Sequence, residues 1–215
     1  FLKYKGVPVL YSPFVSFPLS RERHSGFLLP SVGSSGESGT VISTPYYFNL
    51  SENFDLTLTP TNYSGRGQML EAEFRHKSEN SNTVIELANL NDDDIFGKNR
   101  HAYFIRDTRT YKNTLVQQNN SWKGTLISSN INIGGISDIR YFDDFSNTVS
   151  RVGRTHITRD FILEREEYNN FGYFKATIAA TDYQLAKQDL VEQYSVLPRV
   201  NFEYQSERSD RNFNY

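Results

Sequence analysis

The chain has no cysteine, so neither a disulfide nor a cysteine-ligated metal site can form within its 215 residues, and thiols give no hint of a redox compartment. It has one Met and one Trp. No apolar run approaches the ~18 residues that a transmembrane helix needs, and the mean hydropathy is −0.58. A membrane barrel escapes that exclusion, because its strands alternate and average out as polar. Neither charge is in excess: Lys+Arg 23 against Asp+Glu 25 leaves a net −2. A general nucleic-acid binder would carry a basic stripe, so nucleic acid is not an expected partner. Phe1 opens the chain with no initiator Met, charged n-region or apolar h-region. No targeting segment is visible, and the chain is expected to open inside a longer protein.

Catalytic signatures are missing as well. His24, His76, His101 and His156 never fall in HExxH spacing, and no G-x-S-x-G elbow exists. The stretch from Gly33 to Gly39 lacks the Lys-Ser/Thr of a phosphate loop and reads as a turn. No enzyme activity, cofactor or metal is expected. Asp92-Asp93-Asp94 has the carboxylates of a cation site, but not the Gly and distal Glu of a calcium loop. It reads as a solvated acidic loop.

What the chain has in quantity is aromatic rings, Phe 16 and Tyr 14, and a period of two. Phe54, Leu56 and Leu58 alternate with Asp55, Thr57 and Thr59; Leu70, Ala72 and Phe74 with Glu71, Glu73 and Arg75. Ile127, Ile131 and Ile133 oppose Ser128, Asn130 and Asn132; Phe174, Ala176, Ile178 and Ala180 alternate with Tyr173, Lys175 and Thr177. Val200, Phe202 and Tyr204 alternate with Arg199, Asn201 and Glu203. Adjacent strand side chains point to opposite faces, so each segment has one apolar and one polar side. Turn formers separate the runs at Ser34 to Gly39, Asn62 to Gly65, Lys77 to Asn82 and Asn169-Asn170. Roughly ten antiparallel strands are predicted. Of His101–Ile105 and Tyr111–Gln118, the second is the expected crossing and the first loop or extension. Thr181–Glu192 is expected to be loop. Thr155–Leu163 alternates imperfectly, because Arg159 shares a face with Ile157 and Phe161.

Such a pattern fits a soluble sandwich, with its apolar faces packed together, and equally a barrel with its apolar face in lipid and its charges in a wet lumen. Aromatic clusters at strand ends, Tyr46-Tyr47-Phe48 and Phe171, Tyr173 and Phe174, suit an interfacial girdle, although Tyr and Phe favour strands anyway.

The run Val7-Pro8-Val9-Leu10-Tyr11-Ser12-Pro13-Phe14 is followed by Phe17-Pro18, Ser25 to Pro30, Pro45-Tyr46-Tyr47-Phe48-Asn49, Arg66-Gly67 and Glu73-Phe74-Arg75. In this order and spacing the run resembles the LptD family of outer-membrane lipopolysaccharide-assembly proteins. Beyond about residue 80 the likeness is strand rhythm plus Tyr141-Phe142-Asp143-Asp144-Phe145. The resemblance implies that residues 1–10 end a periplasmic β-jellyroll, 11–25 link it to the barrel, and 26–215 are the N-terminal strands of a larger transmembrane β-barrel, on the order of two dozen strands. It implies a translocon that inserts lipopolysaccharide into the outer leaflet through a lateral gate. The implied partners are lipopolysaccharide, an LptE-like plug lipoprotein, an LptA-like periplasmic bridge reached through the jellyroll, the BamA barrel-assembly machinery and outer-membrane lipid. A smaller outer-membrane pore or enzyme, or a soluble β-sandwich binding protein, is the alternative.

Pro30 and Pro45 are the sharpest site candidates. Each is expected inside a strand, where proline cannot donate to the ladder. The family closes its barrel at the first strand, and prolines there imply a gate; otherwise each marks a strand end or bulge. Pro8, Pro13 and Pro18 punctuate the linker region. Glu71, Glu73, Arg75, Lys77, Lys175, Arg199 and Glu203 are expected to face the lumen. Phe74, Ile178 and Phe202 are expected to face lipid.

Overall fold

The structure is a computed structural model that describes residues 2–4, 7–10, 23–118, 121–145, 155–169, 171–188, 190–191 and 193–206, with backbone alone for 2–4, 7–10, 114–118 and 121–123. Near the start, β1 (Leu2–Tyr4) and β2 (Val7–Leu10) form a two-stranded sheet of their own. The expected linker is outside the described residues from 11 to 22.

All the other described strands form one antiparallel sheet of twelve, which does not close among the described residues. They are β3 (Gly26–Phe27), β4 (Ser31–Ser35), β5 (Gly39–Ser43), β6 (Tyr46–Asn49), β7 (Phe54–Tyr63), β8 (Gly67–Lys77), β9 (Ser81–Leu90), β10 (Arg100–Gln118), β11 (Ser121–Ile136), β12 (His156–Asn169), β13 (Gly172–Leu185) and β14 (Val196–Ser206). β3 and β4 are two halves of a first traverse, and β5 and β6 two halves of a second. Ten traverses result, each hydrogen-bonded to its sequence neighbour. Among the described residues no helix is long and apolar enough to cross a membrane. The only helix described is the short α1 (Tyr141–Asp144).

Two expected strand bounds need correction. His101–Ile105 and Tyr111–Gln118 belong to one strand, β10, whose polar middle from Arg106 to Thr110 keeps full register with β11. In a hydrogen-bonded ladder, backbone pairing holds a strand through residues of low apolar content. Thr181–Leu185 is also strand, paired with His156–Asp160; only from Ala186 does the chain leave the sheet.

The register fixes the two faces. Pairing through Thr57, Glu73 and Glu86 puts these side chains on one face, while Leu56, Phe74 and Ile85 take the other. On the second face large apolar groups stay exposed, including Leu70, Leu87, Phe161, Ile178, Val200 and Phe202. No second sheet covers them among the described residues. Charges on that face pair with each other, at mid-strand in β10 and nearer the strand end in β12: Arg109 Nε with Asp107 at 2.8 Å, Arg165 with Glu167 at 2.9 Å. Arg159, which breaks the alternation of β12, donates to the Gly134 carbonyl at 2.8 Å and to Gln184 at 2.8 Å.

The buried core is on the opposite face, where α1 and its flanks lie down on the sheet. Tyr141, Phe142 and Phe145 pack with Tyr63, Met69, Leu90, Phe104, Ile136 and Ile157. Gly134 makes room for this. A Cβ there would stand 2.4 Å from the Phe104 ring and 3.1 Å from Ile157. Gly134→Ala is therefore expected to overpack the cluster and cost about 1–3 kcal/mol. Gly134→Ala combined with Phe104→Leu should recover part of the loss. Thermal melting of the full-length protein checks both.

Candidate functional site

The first two traverses lie at an open edge of the sheet, and their ladder is interrupted at mid-height. Phe27 faces Tyr46 below the break, and Ser31 faces Ser43 above it. Leu28, Leu29 and Pro30 thus oppose only Thr44 and Pro45, a bulge of one extra residue. Leu28 N–H donates to the Pro45 carbonyl at 2.9 Å. In a hydrogen-bonded antiparallel pair the return bond would run from residue 45 to the Leu28 carbonyl, but proline has no donor to make it. Neither Pro30 nor Pro45 is inside a strand, contrary to expectation: each falls in the gap between two half-strands. The reason is physical, since a missing donor and an extra residue at one level end a ladder.

A third proline sits at this level. Pro60 is inside β7, opposite Thr44, whose N–H donates to the Pro60 carbonyl at 3.1 Å. Its missing donor faces the second traverse. Toward β8 the ladder runs from Phe54–His76 to Tyr63–Gly67 without a shift. The alternation around Pro60 is clean and hides it; its signal in the sequence is its spacing, as far beyond Pro45 as Pro45 is beyond Pro30.

The six charged candidates share one face. Glu71, Glu73 and Arg75 lie on β8, and Lys175 aligns with Glu166 on one side and Glu203 on the other, with Arg199 four residues along. Lys77 is on the same side of β8 as Arg75. Arg75 Nε donates to Asp55 at 2.7 Å, and Arg23 reaches the same carboxylate and the Tyr47 hydroxyl. Lys175 bridges Glu164 at 2.9 Å and Glu166 at 3.3 Å. Arg106 pairs with Glu86 at 2.8 Å. Oppositely charged neighbours on adjacent strands keep this face hydrated without a large net field.

At the end of the sheet that carries the longer connections, a buried ionic hub ties two of these and two three-residue turns together. Arg66 contacts Asp93 at 2.9 Å, Asp144 at 3.1 Å, Ser38 Oγ at 2.9 Å and Glu37 at 3.4 Å. Arg100 contacts Asp93 at 3.3 Å and grips Asp138 through two bonds of 2.8 and 3.0 Å. It also pairs with Asp144 and lies over the rings of Phe96 and Phe145. Asp93 therefore departs from the solvated loop expected: Asp92 and Asp94 are exposed, but Asp93 is buried. Burial pushes its carboxyl up, yet the Ile95 and Phe96 amides with Arg66 and Arg100 outweigh that and hold it below the ordinary range. The Tyr141–Phe145 motif, legible in the sequence without a role, supplies the aromatic floor of the hub. Removing one partner of a buried ion network costs about 3–5 kcal/mol. Arg100→Met is expected to free the 137–145 segment, seen as new protease cleavage there in the full-length protein. Arg140→Ala, which removes an exposed partner 3.8 Å from Asp144, should leave it protected.

An all-β sheet with one exposed apolar face and one charged face has the surface pattern of an outer-membrane barrel wall. The comparisons make this specific. The family model described as LptD protein matches residues 1–206. The LPS-assembly protein LptD of Pseudomonas aeruginosa (strain UCBPP-PA14) is 32% identical over 209 residues, which cover 94% of this chain and 21% of that protein. The protein of the same name from Bordetella pertussis (strain Tohama I) is 41% identical over 159 residues, 74% of this chain and 19% of that protein. The chain belongs to the LptD family, and it spans about a fifth of the length of these relatives.

Proposed function

We propose that this chain is the N-terminal part of a barrel wall that inserts lipopolysaccharide into the outer leaflet, and that its first two traverses form one side of a lateral gate. The observation that carries the proposal is the interrupted ladder at the open edge of an LptD-family sheet. Membership supports the substrate, since the matched relatives are named for lipopolysaccharide assembly. The apolar face, whose charges pair with one another, supports a lipid-facing exterior. The face with Glu71, Glu73, Arg75, Lys175, Arg199 and Glu203 is then the lumen, where mixed charges meet water, a plug protein or the sugars and phosphates of the cargo. Short connections at 78–80, 119–120 and 170–171 mark the periplasmic side, and the long ones at 91–99, 137–155 and 186–195 the exterior. The small β1–β2 sheet is then the end of a periplasmic jellyroll, with 11–25 as the linker. A plug of the LptE kind, a bridge of the LptA kind and the BamA machinery are the corresponding partners. The wall moves lipid and makes or breaks no bond.

Orientation is tested by labelling cysteines from the aqueous phase in the full-length protein. Positions 73, 175 and 203 should react, and 74, 178 and 202 should be shielded. Equal labelling would return the exposed apolar face to the sandwich alternative. An aliphatic-to-Lys change at a shielded position near mid-depth should cost about 2–4 kcal/mol.

The gate is tested at its prolines. One net backbone hydrogen bond is worth roughly 0.5–1.5 kcal/mol, and ~1.4 kcal/mol is a factor of ten. The interruption thus raises the open population by up to about a decade per missing bond, without unfolding a wall whose other ladders hold. Pro30→Ala plus Pro45→Ala in the full-length protein should leave the barrel folded and lower surface lipopolysaccharide several-fold. Normal delivery at a normal protein level would remove these prolines from the mechanism.

A further inference from the structure

The second seam, between the second and third traverses, has its own missing bond at Pro60, and the two halves of the first hairpin are held in different ways. Above the break the hairpin tip is fixed. Ser64 N–H donates to Thr40 O at 2.9 Å and Gly65 N–H to Ser38 O at 3.1 Å. Arg66, with its side chain 1% exposed, joins Ser38 and Glu37 to the buried hub. Gly65 lies so close that a Cβ there would stand 3.1 Å from the Glu37 carbonyl. Below the break the side-chain ties are more open to solvent. Tyr46 to Asn49 pair with Asp55 to Leu58, and Arg23, its side chain 47% exposed, reaches Asp55 and Tyr47. Asp55 is buried, but a pair with one half-exposed partner adds less rigidity than a network buried at both ends.

We propose that Pro60 is a positioning residue of the seam. By withholding the bond to the Thr44 carbonyl, it makes a crease across the second ladder. The lower halves of the first two traverses, 26–30 and 44–49, bend there as a pair, while the upper halves stay tied to the hub. The missing donors of Pro45 and Pro60 point the same way along the sheet, toward the open edge. The crease stops at β7, because the β7–β8 ladder is continuous. This inference rests on the gate reading and adds where the moving part ends.

Pro60→Ala and Pro60→Val both restore a donor opposite Thr44, and valine also suits a strand. Hydrogen exchange is measured by mass spectrometry on the full-length protein in detergent, alongside surface lipopolysaccharide in cells. In both variants the Tyr46 and Phe48 amides, which face the third traverse by alternation, should exchange roughly two- to tenfold more slowly, the factor one net backbone bond carries. Amides of 39–43 should be unchanged, and surface lipopolysaccharide should fall at normal protein level. Unchanged exchange, slowing shared equally by 39–43, or slowed exchange with normal delivery would each overturn the crease. If the Pro30 and Pro45 double variant lowers delivery and the Pro60 variants do not, the crease falls and the gate stands. If none of them lowers delivery, both fall.

Discussion

Everything in this molecule depends on the inter-strand ladder and on where it is allowed to fail. A sheet whose apolar face is left open can persist only where that face meets an apolar medium. In such a medium an unpaired backbone group costs several kcal/mol. From Phe54 through Ser206 successive strands pair along most of their common length, with local register shifts at Asn113/Val116 and Ala179/Thr181. At the first hairpin the rule is relaxed. A bulge and two missing donors lie at one height, and the strongest tie of the hairpin is moved from its backbone to a cluster of side chains at its tip. Backbone bonding and side-chain bonding thus divide the work by position: ladder in the wall, ion pairs at the rim.

The core follows from the same division. A single sheet has no conventional interior, so its buried apolar cluster forms where a long connection folds back on the charged face. Tyr141, Phe142 and Phe145 reach there because Gly134 leaves room beside Phe104. The two arginines below them are buried only because four carboxylates converge on their five-donor forks. Neither half of this arrangement would survive without the other, since unpaired charge and uncovered aromatic surface are both costly there.

Much of the wall was legible in the residues. The hairpin of Phe54 to Lys77 shows its faces by simple alternation, and the side shared by Glu73, Lys175 and Glu203 follows from the period of two. β10 was harder, because Arg106 to Thr110 look like loop residues until a partner strand is paired with them. The split of the first two traverses was half visible: the prolines mark it, but the extra residue opposite Thr44 and Pro45 exists only in the pairing. The hub was not legible. Arg66 and Asp93 are 27 residues apart and Arg100 and Asp144 are 44 apart, and no local pattern joins them. Asp92-Asp93-Asp94 stands out in the sequence as a triplet, but only Asp93 is buried in the hub.

The bulge at Leu29-Pro30 also constrains whatever strand meets the free edge of the first traverse. One inserted residue puts the upper and lower halves of that edge one step out of phase. Gly26–Phe27 and Ser31–Ser35 offer their bonding groups in registers that no regular strand can match together. A strand docking there zips along one half and meets the other with its side chains reversed, unless it carries a compensating bulge. A strand closing on this edge would meet a zipper with an offset tooth. Pairing would be complete on either side of the offset, and a zip once started would come to rest at the offset itself.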